Sequence, residues 1–322
     1  MAKAAEDPAG SPNAKEAVRE ALSELRTTVL GPQILLGFQY EALFQQGFAK
    51  LAAWRQELAL CAFVLLVATV AMVIAPTSFH QLAARGEATA AQLSFSKRML
   101  GSSFCPFALA IGINVVVVGA GELGAVAAVA CGLGAAGLAL LLWYGIELMA
   151  RRPAAPPAAA KPAKTTLKDR ITELMTETRI VLPGVQALLG FQFAAYLTEA
   201  FPKLDPAPRV AHGLGLALLL VSMILLMTVA PFHRLAERGE DSERTRRVGG
   251  ACIVGALATL GLGIAADCYV AVSMITGSAA AAFAAGALAA AAGAALWFVV
   301  PLLARRPPAA GRPDLPHPQA TA

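Results

Sequence analysis

The sequence predicts an all-α, polytopic membrane bundle: two parallel tandem repeats of four transmembrane helices each, with a short amphipathic helix before each repeat. Three observations predict it. The chain of 322 residues is 57% hydrophobic and only 15% charged, whereas ordinary soluble domains carry roughly 25% charged residues. The second half repeats the first: LLGFQ at 35–39 recurs at 188–192, FHQLAARGE at 79–87 returns as FHRLAERGE at 232–240, and ARRP at 150–153 returns at 304–307, at offsets of 153, 153 and 154. Lysine and arginine, finally, segregate between the apolar tracts in a way that fixes how many of those tracts cross.

Taken in chain order, residues 1–13 mix acids with bases and read as a disordered N-terminus; no cleaved secretory signal is expected, because such a signal has a basic start and a clean apolar stretch. The first repeat occupies 14–150. It opens on Val18, Leu22, Leu25 and Val29 at helical spacing, the apolar face of an amphipathic segment. A polar-spotted tract at 29–49 follows, then apolar tracts at 58–75, 99–121 and 123–146 that approach or reach the roughly 20 residues needed to cross a ~30 Å hydrocarbon layer. Residues 151–164 are rich in Pro and Ala and form a linker. The second repeat, 165–305, opens on Leu167, Ile171, Leu174 and Met175 behind a Thr166/Asp169 capping box, and continues through 182–202, 213–231, 248–266 and 279–304. Residues 306–322 read as a disordered tail.

The first tract of each repeat holds Gln33, Gln39, Glu41 and Gln45 in one copy and Gln186, Gln192 and Glu199 in the other, and charge arbitrates whether it spans. With eight spans, 22 Lys and Arg lie on the side of the N-terminus and 4 (Lys50, Arg55, Lys203, Arg209) on the other; with six spans the division is 14 against 12. Cytoplasmic loops are enriched in Lys and Arg, so the sequence favours eight spans, both termini cytoplasmic, in a cell (inner) membrane. An even number of spans per copy makes the repeats parallel. The bases lie beside the apolar tracts rather than in one stripe, which points to the lipid bilayer and to anionic headgroups at the cytoplasmic face as partners and not to nucleic acid.

Motifs with chemical associations fall away on inspection. VVVVGAGELG at 115–124 matches a dinucleotide fingerprint, but no charge occurs between Glu122 and Glu147 to hold a ribose, and the second copy lacks the glycines; Gly119–Gly124 reads as a tight turn between spans. Gly132, Gly134 and Gly137 lie within a span and read as close helix packing, as do Ala108 and Gly112, Ala251 and Gly255, and the run at 280–297. Cys61, Cys105, Cys131, Cys252 and Cys268 form no CxxC and read as small buried hydrophobes. No cofactor, metal or catalytic residue is assigned.

Polar residues inside spans are the functional leads, since burying them in hydrocarbon is costly. Gln33/Gln186 and Gln39/Gln192 are duplicated; Glu41 and Asp267 are private, facing Ala194 and a residue near Val118 in the other copy. Their alternatives are interhelical hydrogen bonds or a polar path. A second set, Glu24/Glu177, Arg26/Arg179 and His80/His233, with Arg234 beside it, gathers at the cytoplasmic side. It reads either as a pH-responsive cluster, because histidine titrates near neutrality, or as salt bridges that pin the amphipathic helix to the loop.

At TETRIVLPGVQALLGF (176–191) followed by APFHRLAERGE (230–240), the second copy resembles a family of small bacterial four-span membrane proteins of unknown function. The resemblance covers all of copy two and, more loosely, copy one. Its pattern falls on Glu177, Arg179, Pro183, Gly184, Gln186, Phe191, Pro231, His233 and Arg234. Copy one departs from it: LGPQ replaces LPGVQ, two residues are inserted between Pro76 and Phe79, and Gln81 replaces the arginine. The resemblance implies the architecture and no activity. The expected role is therefore that of a non-catalytic multi-pass protein, a scaffold or accessory subunit with a protein partner or a homo-oligomeric state; the alternative is a small-solute or ion transporter or channel with a polar path between the repeats.

Overall fold

The computed structural model describes residues 29–87, 89–145 and 166–305. The expected disordered N-terminus, the first amphipathic segment before Val29, the linker and the tail lie outside them. Among the described residues the chain is helical, with no strand. We label the long helices α1 (29–42), α2 (Ala53–Leu82), α3 (Ala90–Gly119), α4 (Ala125–Leu140, prolonged by a π turn to Gly145), α5 (Leu167–Tyr196), α6 (Pro206–Pro231, prolonged by a π turn to Ala236), α7 (Glu243–Thr276) and α8 (Ala279–Ala294, prolonged to Leu303). Six of them, α2, α3, α4, α6, α7 and α8, are long and apolar enough to cross a membrane; α1 and α5 are not among these. The chain is thus a multi-helix bundle compatible with a multi-pass membrane protein.

Short polar side chains start several helices. Thr89, Ser242 and Ser278 accept from the backbone N–H groups of Gln92, Thr245 and Ala281, satisfying donors that have no intrahelical partner. Thr166 and Asp169 form the expected capping box. After that box the expectation fails: the amphipathic segment of copy two is not a separate short helix, but the first half of one 30-residue helix. Pro183 removes one backbone hydrogen bond from α5 without ending it. The apolar side of the segment is buried in the bundle. Ile171 and Leu174 are buried, and Leu174 lies so close to Gly249 of α7 that a Cβ there would stand 2.3 Å from Leu174 Cδ2.

The repeated turn is built twice in one way. Arg85 and Arg238 both have φ 53°, followed by Gly86 at 75° and Gly239 at 81°, and the glycine N–H reaches back to the His80 carbonyl at 3.0 Å or the His233 carbonyl at 2.9 Å. A left-handed residue and a long backward bond are how a helix C-terminus satisfies its last carbonyls. The residues 120–123 form the expected turn after α3, and Gly124 enters α4 at φ 79°.

From α2 to α4 and from α5 to α8 each helix packs on the next, with α2 crossing from the first unit onto α7 and α8 of the second. There Ser78 Oγ donates to the Trp297 carbonyl, Trp297 Nε1 donates to the Ala71 carbonyl at 2.8 Å, and Arg305 Nε to the Leu82 carbonyl at 2.6 Å. Small residues bring α3 and α4 together at Gly112 and Gly132, where an added Cβ on either would meet the other's carbonyl oxygen within 2.7 Å. The other glycines of that motif, Gly134 and Gly137, face open space, because they lie on the far side of α4. The Ala-rich α8 is almost wholly on the outside of the bundle. So are Cys61, Cys105 and Cys131; of the cysteines only Cys268 is buried, a correction that follows from helices exposing most of their circumference.

Candidate functional site

Two buried polar clusters join the units, one near each end of the bundle. At the end that carries the Arg85 turn, α2 presents His80 and Gln81 to Glu177 of α5. His80 Nδ1 hydrogen-bonds Glu177 Oε1, Gln81 Nε2 donates to Glu177 Oε2 at 2.5 Å, and His80 Nε2 stands 3.6 Å from Glu173 Oε2. His80, Glu173 and Glu177 are all buried, at 0%, 1% and 0% exposure. Residues four apart share a helix face, which is why Glu173 joins Glu177. Of the residues expected here, Arg179 does not join: two residues along a helix is about 200° of rotation, and it is exposed. Arg234 is also exposed. Glu24 and Arg26 lie outside the described residues.

The equivalent histidine is placed differently. His233 falls in the π turn Phe232–Ala236, is partly exposed, and sits 3.8 Å from Asp241 Oδ1. In copy one, which has two residues more after Pro76, α2 runs in regular helix as far as Leu82, and His80 lies in the core.

The second cluster lies toward the other end. Gln192 of α5 donates from Nε2 to Asp267 Oδ1 of α7 at 2.5 Å. Tyr40 of α1 stands beside the same carboxylate, and its hydroxyl hydrogen-bonds His212 Nδ1 of α6 at 2.8 Å. The Tyr40 and His212 rings are nearly parallel, with centroids 5.9 Å apart, and Phe44 and Phe201 close the sides of the imidazole. Asp267 is 4% exposed, so it belongs to the bundle interior and not to an outer interface. At the common offset of 153 its counterpart is Asn114, four residues from the expected vicinity of Val118.

The remaining polar leads disperse. Gln33 is wholly buried, with both amide atoms unpartnered among the described residues, and lies against Gly184 so tightly that a Cβ there would be 1.6 Å from its Oε1. Gln39 donates to the Ala59 carbonyl at 3.1 Å, within its own unit. Glu41 accepts from Gln45 one turn on. Gln186, the twin of Gln33, is exposed on the outer face of α5.

Tyr40, His212, Gln81 and Glu173 were missed as site residues from sequence. The i, i+4 spacing of Glu173 and Glu177 on an apolar helix face was a usable signal. Tyr40 and His212 carried a fainter one: the copies put Phe193 and Ala59 at those positions, so each is polar in one unit only. Among the described residues there is no group of three or more His, Cys, Asp or Glu arranged to hold a metal ion. What both clusters do chemically is hydrogen-bond polar side chains of one unit to those of the other, Glu177 to His80 and Gln81 in the first and Tyr40 to His212 in the second.

One protein family matches the chain twice, over residues 13–147 and 162–301: DUF6328, a family of unknown function. No curated protein and no solved structure matches.

Proposed function

Since the chain belongs to the DUF6328 family and inherits no activity from it, we propose from its own geometry that it is a non-catalytic multi-pass membrane protein, a scaffold or accessory subunit. The observation that carries this reading is the use made of the buried ionisable groups. Glu177 is bonded to His80 and Gln81, and His212, beside Asp267, to Tyr40, in both cases across the boundary between the units. Groups held in this way act as fasteners.

In this reading the chain crosses the bilayer eight times, with parallel units and both termini cytoplasmic. Three features support it. The 22-to-4 division of Lys and Arg is one. The length of α5, 30 residues or about 45 Å at 1.5 Å per residue, is another. The third is that α1 and α5, and the segments that follow them, touch through equivalent residues. Phe38 meets Phe191 at 4.3 Å between ring centroids, and Gln46 bonds Glu199 at 2.5 Å. Both pairs are separated by 153 positions, as contacts along a twofold axis between parallel helices would be. Affinity capture of the full chain at native expression tests the role: a recurrent membrane partner is expected, and recovery of the chain alone would count against it.

A second reading, a proton or small-ion path between the units, is favoured by Gln33. Its unpartnered amide sits beside Gly184, between Glu177 and Gln192 on α5, roughly 10–12 Å from each by helical rise. Buried polar groups in that succession are what a relay needs. Ion flux into liposomes that is unchanged by Gln33→Leu and Gln192→Leu together would remove this reading.

A further inference from the structure

We propose that the outer face of α5 is a dimerisation surface, covered by the same face of a second copy of this chain. The argument starts from a comparison that only a duplicated protein permits. Gln33, Gly37, Tyr40 and Phe44 of the first unit correspond, at the offset of 153, to Gln186, Gly190, Phe193 and Leu197 of the second. The first four are buried, and what buries them belongs to the second unit: Gln33 lies on Gly184, Gly37 on Phe191, and Tyr40 and Phe44 on His212. The second four are all exposed; Phe193 is 48% and Leu197 82% accessible, and a Cβ on Gly190 would meet nothing within 4 Å. One face of the family's first helix thus packs on another unit in copy one and is uncovered in copy two.

Lipid is a poor cover for it. The face puts the Gln186 amide outward within the tract 182–202, and an amide in hydrocarbon without a partner is costly. Moreover α5 is not among the helices apolar enough to cross alone. A second copy supplies what lipid does not. Gln186 both donates and accepts, so two of them are mutually complementary across a twofold axis. Gly190 and Ala194, four residues apart, allow the backbones to approach. The packing of α1 on α5 within the chain, with Phe38 on Phe191, is likewise a contact of first helix on first helix.

The inference rests on the eight-span reading in taking 182–202 as membrane-embedded. It is tested on the full chain in native membranes, with the five cysteines replaced by alanine and one cysteine returned, at Gly190→Cys or, as control, at Val210→Cys on the exposed side of α6 (70% accessible). Copper-phenanthroline oxidation should yield a covalent dimer from Gly190→Cys and none from Val210→Cys, and adding Gln186→Leu should weaken dimerisation about tenfold, the worth of 1–2 kcal/mol for an interhelical polar bond in lipid. A chain that stays monomeric while its Gly190→Cys thiol is protected from water-soluble maleimide overturns the dimer and leaves eight spans standing. Rapid labelling of that thiol by the maleimide overturns both, and a dimer that cross-links equally well through Val210→Cys places the contact elsewhere.

Discussion

Glu177 has two partners, and both come from the other unit. Removing its carboxylate takes away the acceptor that holds buried His80 and half-buried Gln81, and breaking a buried pair from one side costs about 3–5 kcal/mol. Glu177→Ala is therefore expected to lower the denaturation midpoint of the detergent-solubilised protein by an amount of that order. Glu177→Gln, which keeps an acceptor, should lose distinctly less, and Arg179→Ala should stay within about 0.5 kcal/mol of the parent, as surface changes do. Equal losses for Glu177→Ala and Arg179→Ala would contradict the placement of the two side chains. At this scale the sequence was half informative. Duplication singled out Glu177 and His80, but it marks equivalent positions and says nothing about whether a residue pairs within its own unit or across to the other. The crossing goes with the regular helical course of α2 past Pro76, where copy two has a π turn instead, and that course is a property of the packed helix.

At the scale of elements, α5 is the piece least legible in advance. Its two halves differ in composition, one amphipathic and charged, the other apolar with glutamines, and that contrast suggested a break near Pro183. A proline withholds one hydrogen bond; the tertiary contacts of Leu174, Val181, Val185 and Leu188, all buried, keep the helix running through it. The six apolar helices were legible because length and hydropathy alone decide them, and the duplicated Arg-Gly turns because left-handed glycine after a helix is a local signal. The contact between α1 and α5 can be probed by a single methyl group. Gly184→Ala would place a Cβ on the Gln33 amide, and forced overpacking of this kind costs about 1–3 kcal/mol. Because the obstacle is that one side chain, Gln33→Ala should recover most of the loss in the double variant, measured as the same unfolding midpoint. A double variant no better than Gly184→Ala would mean that the helices are not in contact there.

For the whole molecule the decisive quantity is the side on which each helix end emerges. Lys50 follows α1 and Lys203 follows α5, and both are exposed. Single cysteines at these positions, Lys50→Cys and Lys203→Cys, should react with an impermeant maleimide from the same face of sealed vesicles; labelling from opposite faces, as six spans would give, would sink the eight-span count.

The tyrosine and histidine that meet at 2.8 Å also bear on why the two units travel in one chain. If separate identical subunits paired, every contact between them would have to work with its own mirror image, and a position that is tyrosine on one side would be tyrosine on the other. Here Tyr40 answers to Phe193, and His212 to Ala59. Each half can therefore specialise as giver or receiver without spoiling the reciprocal contact. Tethering also lets weak contacts suffice, since a covalent link turns the meeting of the two halves into an intramolecular event. Fusion thus turns a symmetric encounter into a division of labour.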